Sequence, residues 1–364
     1  MRKILKFPAV ILSALVALAL FVGCNATPES DQAPPSEPTQ DSVEAGVEET
    51  QGTRIITDMG GNQVEIPMVV ERYADAWFAH NEIVIMLDKA EGLVATNESP
   101  ERSPWPYLVE PNMHNALSTF GNDFNLEELV PRDPQVVFAS SNALEEQLKP
   151  LGIQVINLLF TNYEEMKESI MLTGDILGGD SIAIAEEYCR YLDDTLKMLD
   201  ENLGGLSESE KPSVLHGNSV YTLNVDGSNN IIDAWISAVG GVNSAEEIEG
   251  TMQTVTLEQV LGWDPDVIIT GTSDEVDSIL SDPAWAGLTA VKNGQVYSNP
   301  KGVFSWDRAG VEGALQLQWA SQLLHPDLVK IDIESKIKEF YKTFLHYELT
   351  DDQVVRILNA ENPE

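Results

Sequence analysis

The stretch "NLEELVPRDPQVVF" at residues 125–138 returns 131 residues later as "TLEQVLGWDPDVII" at residues 256–269. Both copies run a polar capping residue, Leu-Glu, further helix-compatible positions, Asp-Pro, and then a β-branched or apolar run. Asn125 and Thr256 suit helix N-caps, and Thr256 with Gln259 makes a capping box. Pro134 and Pro265 cannot extend a helix and force Asp133 and Asp264 out of the helical region. "VVFA" and "VIIT" have the continuous apolar character of strands covered on both faces in a parallel sheet. Each copy reads as helix, stop, buried strand, and the chain as two similar α/β lobes. The spacing is too long for a solenoid, whose repeats run to about 20–50 residues.

The first 24 residues carry Arg2, Lys3 and Lys6 ahead of an apolar run from Phe7 to Val22. That is the charge pattern and length of a signal peptide, and the run is shorter than the roughly 20 residues of a spanning helix. "FVGC" resembles the lipobox of bacterial lipoproteins, which implies removal of residues 1–23 and lipidation of Cys24. The membrane would then be met through the lipid anchor only, at the outer face of the cytoplasmic membrane or the periplasmic side of a two-membrane envelope. Residues 24–52 are rich in Pro, Ser, Thr, Gln and acid, the composition of a disordered tether. The folded part is expected to divide into an N-terminal lobe at 53–162, a helical linker at 163–205 and a C-terminal lobe at 206–364. With Cys24 lipidated, Cys189 is the only free thiol, which excludes an intramolecular disulfide and suits a small buried helix residue.

A formal net charge of −38 argues against nucleic acid, whose phosphates need a basic footprint. Its plainer meaning is solubility and repulsion from anionic surfaces. GxSxG, HExxH, CxxC and a phosphate-cradling glycine loop are all absent from the sequence. "GDILGGDS" interrupts helices and does not follow a strand. Binding without turnover is therefore the expectation, with a hydrolase of unfamiliar type or a surface adhesin as the alternatives from other classes.

"RIITDMGGNQVEIP" (54–67) reads as a β-hairpin around Gly60-Gly61-Asn62, and residues 69–96 as strand, loop, helix, strand. A helical region begins near Tyr163, breaks at Gly178-Gly179 and resumes with Asp180 as N-cap. Its stripe of Ile184, Tyr188, Leu192, Leu196 and Leu199 marks one long helix of about 36 Å, enough to bridge two lobes.

The residues from 53 to about 345 resemble the substrate-binding lipoproteins of ATP-driven importers for iron complexes, haem and cobalamin. The resemblance rests on "ITDMGGNQVEIP", both Leu-Glu…Asp-Pro-X-Val units, "DPAWAGLTAVKNGQVY" and "SWDRAGVEGALQLQWASQLLHP" in that order after a lipobox. It implies an α/β fold of two Rossmann-like lobes joined by a long rigid backbone helix, the class III arrangement. It also implies a monomer with no cofactor of its own, whose partners are an ABC permease with its ATPase and a small-molecule metal chelate such as a siderophore, haem or corrinoid. Within that family, acidic residues at the two Leu-Glu positions dock into basic pockets of the permease, here Glu127 and Glu258. The helix dipole alone would stabilise each of them by about 0.3–1 kcal/mol. The closing motif also resembles family members carrying molybdate or tungstate, an oxyanion alternative.

A ligand between the lobes would meet loops after the strands. The first lobe offers Trp77, Phe78, His80, Asn81, Trp105, Tyr107, Ser141 and Asn142; the second offers His216, Asn218, Tyr221, Trp306, Asp307 and Arg308. Aromatic rings grip flat organic groups while a few polar groups orient them. Trp105, between two prolines, suits either a cleft wall or lobe packing, and His80 suits either the cleft or a loop carbonyl. Arg308 has the fork geometry for a carboxylate, phosphate or oxyanion, against a plain pairing with Asp307. Asp307 reads first as a helix cap. A free divalent metal on His80, His216 and a carboxylate lacks support, because the five histidines show no ligand spacing.

Overall fold

A computed structural model describes residues 52–118 and 125–364. The signal peptide, Cys24 and nearly all of the tether therefore lie outside the described residues. Strands β1 (Thr53–Thr57) and β2 (Gln63–Pro67) form an antiparallel hairpin with Thr57 opposite Gln63. Its turn places Gly61 at φ +79°, a conformation free of strain only without a Cβ.

The first lobe is built on β3 (Tyr73–Asp75), β4 (Leu93–Thr96), β5 (Leu117–Ser118), β6 (Val136–Ala139) and β7 (Gln154–Asn157). They are all parallel, in the order β5-β4-β3-β6-β7. The second lobe contains β8 (Ser213–Gly217), β9 (Asn224–Val225), β10 (Val242–Asn243), β11 (Gln253–Thr254), β12 (Val267–Thr270) and β13 (Val296–Ser298). Its main sheet is parallel in the order β10-β8-β12-β13, and β9 pairs with β11 as a side ribbon. Set edge strand β5 aside and the two sheets have one topology. The repeated unit supplies the same strand to each, β6 and β12.

The two copies also match in detail. Asn125 Oδ1 accepts the Glu127 amide at 3.1 Å, while Thr256 and Gln259 close a capping box through bonds of 3.2 and 2.9 Å. Asp133 (φ +52°) and Asp264 (φ +44°) both turn left-handed to leave the helix, a conformation aspartate tolerates better than most residues. Val136 and Phe138 then face one apolar cluster and Val137 and Ala139 another, as Val267 and Ile269 are separated from Ile268.

Between the lobes, a helix at Tyr163–Leu177 turns through Gly178 and Gly179 into a second at Ser181–Leu203. The expected cap at Asp180 is not made: its backbone is already helical and its side chain caps nothing, because the glycine pair alone completes the turn. The two helices press together at Gly174, where a Cβ would stand 3.1 Å from the Ser181 carbonyl. The long helix hydrogen-bonds the first lobe through Ser181 Oγ to the Leu87 carbonyl. Further along, Tyr188 Oη donates to the Val311 carbonyl at 2.8 Å. Its Tyr188, Leu192 and Leu199 belong to one apolar core that also holds Phe138 and Ile156 of the first lobe and Val214 and Ile269 of the second. The lobes thus share a core along a stiff strut, as expected for the class III arrangement.

Candidate ligand cleft

All the strands of both main sheets run parallel, so their carboxyl ends converge from two sides on a cleft of about 680 Å³. Its walls follow the strand ends closely. Trp77 lies just beyond β3, Glu98 beyond β4, Ser140 beyond β6 and Phe160 beyond β7; Asn218 follows β8 and Lys301 follows β13.

The lobes meet through rings. Phe78 of the first lobe packs edge-on against Phe304 of the second, with centroids 5.2 Å apart, and Trp77 tilts against Phe160 at 5.4 Å. The Arg102 guanidinium stands 5.9 Å above Phe78 and 3.5 Å from the Glu98 carboxylate. Burial raises the Glu98 carboxyl above its ordinary range, and the nearby Arg102 charge partly offsets that rise. Among the lining residues, Arg102, Lys301 and Arg308 face a single acid, Glu98. In a chain with 59 acidic and 21 basic residues, this gathers three of the few cations at one site, although Arg102 pairs with Glu98 and Arg308 with Asp226 and Asp307.

Of the residues expected from sequence, Trp77, Phe78, Asn218 and Arg308 line the cleft. The others are elsewhere, each for a visible reason. His80 is fully buried, with Nδ1 2.7 Å from Asp75 Oδ2 and Nε2 3.0 Å from Thr173 Oγ1. It acts at a distance, since Asp75 also accepts the Trp77 amide at 3.0 Å. Asn81 is buried against Thr96 Oγ1. Trp105 serves packing: its indole donates to the Glu361 carbonyl and ties the first lobe to the chain's end. Tyr107 Oη donates to the Glu98 carbonyl at 2.9 Å, and burial pushes its phenol up to about 12.

Asn142 opens on a separate polar pocket beside Asp58 and Lys149, while Ser140, not Ser141, reaches the cleft. Tyr221 is on the outer surface, bonded to Asp282. Trp306 is buried and donates to Glu312 Oε1. His216 and Asp307 are buried together, with Nε2 2.9 Å from Asp307 Oδ2, so Asp307 caps no helix. Glu127 and Glu258 are both exposed in the first turns of their helices.

Arg102, Phe160, Lys301 and Phe304 went unrecognised in the sequence. The signal available for Arg102 and Lys301 was scarcity, since so few basic residues stand in loops after strands. Among the described residues no three His, Cys, Asp or Glu side chains stand together as a metal site, and no helix is long and apolar enough to cross a membrane.

The family model for periplasmic binding proteins matches residues 79–302. The molybdate-binding protein MolA of Haemophilus influenzae is 25% identical over 83% of this chain and 94% of its own length. A Bacillus subtilis ABC transporter substrate-binding lipoprotein, YvrC, is 24% identical over 57% of this chain and 67% of its own. The crystal structure of a periplasmic solute binding protein from Veillonella parvula superposes with a TM-score of 0.72 at 29% identity, covering 85% of this chain and 97% of that one. With one topology in both lobes, a shared helical strut and a cleft at the strand ends, the chain belongs to the periplasmic binding protein family, as a class III substrate-binding protein of an ABC transporter.

Proposed function

We propose that the protein is anchored outside the cytoplasmic membrane through Cys24 and captures a metal chelate, such as an iron siderophore, haem or a corrinoid, with anionic chelates favoured, for delivery to an ABC permease. The observation that carries this reading is the lining: Arg102, Lys301 and Arg308 set among Trp77, Phe78, Phe160 and Phe304, with Glu98 the one lining carboxylate and Asp226 and Asp307 standing behind Arg308. Cations select negative charge, and the rings supply apolar area that a bare inorganic ion would not use. A cleft of about 680 Å³ suits an organic ligand, within the usual ~300–1,000 Å³ of such sites. The lipid anchor is supported by the "FVGC" motif and by the lipoprotein named among the relatives.

A second reading, molybdate or tungstate, is favoured by the similarity to a molybdate-binding protein over most of both chains. Titration of Trp fluorescence with ferric catecholate, ferric hydroxamate, haem, cobalamin and molybdate separates the two readings. Saturable quenching by an organic metal complex at lower concentration than molybdate supports the first. Binding of molybdate alone establishes the second, and release of a chemically altered product would overturn both.

A further inference from the structure

Arg308 reaches the cleft from a buried cluster of ionisable groups. Its Nη1 and Nη2 donate to Asp226 Oδ1 and Oδ2 at 3.1 and 3.0 Å, and its Nε lies 3.4 Å from Asp307 Oδ2. Behind these carboxylates sits His216, with Nδ1 3.0 Å from Asp226 Oδ2 and Nε2 2.9 Å from Asp307 Oδ2. The ring is wholly buried on β8. The charged groups facing it are Asp226, from the segment after β9, and Asp307 with Arg308 from the loop that lines the cleft. The helix Ile231–Ala238 meets it with the Trp235 indole, centroids 5.4 Å apart, and β12 pairs it with Ile269.

Nδ1 is hydrogen-bonded to Asp226, so a neutral ring would carry its one proton there and leave Nε2, which makes no aligned hydrogen bond, bare at 2.9 Å from the negative Asp307 Oδ2. The imidazolium instead sets a positive charge beside both carboxylates. The charge count agrees. With a neutral ring, two carboxylates outnumber Arg308 and the wall turns a surplus negative charge toward the cleft. With an imidazolium the cluster is neutral, and the outer N–H groups of Arg308 can meet an anion without that opposition.

We infer that His216 is a positioning residue held as an imidazolium, and that its proton is what makes Arg308 available to an anionic ligand. This rests on the reading of the cleft as an anion site. Burial disfavours charge on the ring, but the bond to Asp226 and the adjacent Asp307 carboxylate outweigh it and raise its pKa above the ordinary histidine value. Burial likewise opposes ionisation of Asp226, yet His216 and Arg308 hold that carboxyl well below the usual range. Anion affinity is therefore full below the raised His216 pKa and lost as pH climbs through it, by at most about tenfold per pH unit for one linked proton.

Two measurements on the folded chain test this. Side-chain 15N NMR over a pH series, with His216 assigned through its contacts to Trp235, should show both ring nitrogens still protonated where an ordinary histidine, with a pKa of about 6.5, has lost its proton. A single-protonated tautomer there overturns the inference. Calorimetric titration with molybdate and with a hexadentate ferric tris-catecholate, across the pH range in which NMR shows His216 losing its proton, should give affinity falling with pH, along with proton uptake on binding. Flat affinity alongside a confirmed imidazolium overturns the linkage. If neither probe binds at any pH while the imidazolium is confirmed, the anion reading of the cleft fails, and the role for the proton fails with it. The conservative His216→Asn variant should bind at a level independent of pH, whereas a merely structural role would leave the pH profile of its residual binding unchanged.

Discussion

Glu82 and Glu312 meet across the boundary between the lobes, where Glu82 Oε1 accepts the Glu312 backbone amide at 3.0 Å. Their carboxyls are neighbours close enough to interact, and both residues are buried. Glu312 in turn accepts from the Phe304 amide, the Trp306 indole and the Tyr341 hydroxyl at 2.9, 2.9 and 2.5 Å. The loop carrying Lys301, Phe304 and Arg308 is thereby fastened to both lobes at once.

Two carboxyls so placed do not both ionise readily. Burial, and then the charge of its neighbour, hold Glu82 well above the carboxylate range, while burial pushes Glu312 up to about 7. The folded state therefore keeps protons that the unfolded chain releases above about pH 4.5, and this pair makes stability fall as pH rises from there through about 7. Glu82→Gln supplies an amide donor where the proton was and keeps the acceptor for the Glu312 amide. Thermal unfolding should show the variant gaining on the wild type as pH increases from 5 to 8, by about 1.4 kcal/mol per pKa unit relieved. Parallel pH profiles would exclude a shared proton.

Gly302 admits no side chain. A Cβ there would lie 1.9 Å from Tyr341 Oη and 2.1 Å from Glu312 Oε1, both buried. Gly302→Ala should destabilise the fold by about 1–3 kcal/mol through overpacking and weaken ligand binding because the cleft loop shifts. An unchanged melting temperature would show that the loop has slack.

The exposed pair Glu127 and Glu258 occupies equivalent turns of two lobes with one topology. We propose that the two carboxylates dock an ABC permease, where charge pairs set register and encounter rate more than affinity. Glu127→Ala with Glu258→Ala should abolish uptake while ligand binding stays within about twofold of wild type, since neither residue lines the cleft. Normal uptake by the double variant would remove the proposed docking role.

Because the apolar core runs through both lobes and the strut, closure is limited to small rotations. Small-angle scattering with and without ligand should differ little, and a wide opening would contradict the shared core.

Much of this fold was legible because its signals are local. Capping at Asn125 and Thr256, the Asp-Pro stops and the apolar runs of β6 and β12 are all written within a few residues. The cleft was only partly legible. His80 and His216 attract attention as chemical side chains, but what buries them is Asp75, Thr173, Asp226 and Asp307, partners that only the tertiary structure assembles. Trp105 and Trp306 have indoles large enough to serve the core, and each N–H finds a partner there. Lys301 and Phe304 become visible once β13 is known to end just before them.

Native mass spectrometry with metal analysis, on the protein purified from its own host, tests the central claim most directly. The account predicts a metal-bearing anionic species at one per chain, lost in a Trp77→Ala, Lys301→Glu variant that remains folded, because both residues line the cleft. The same species retained in full by that variant would place the ligand outside the cleft and contradict the account.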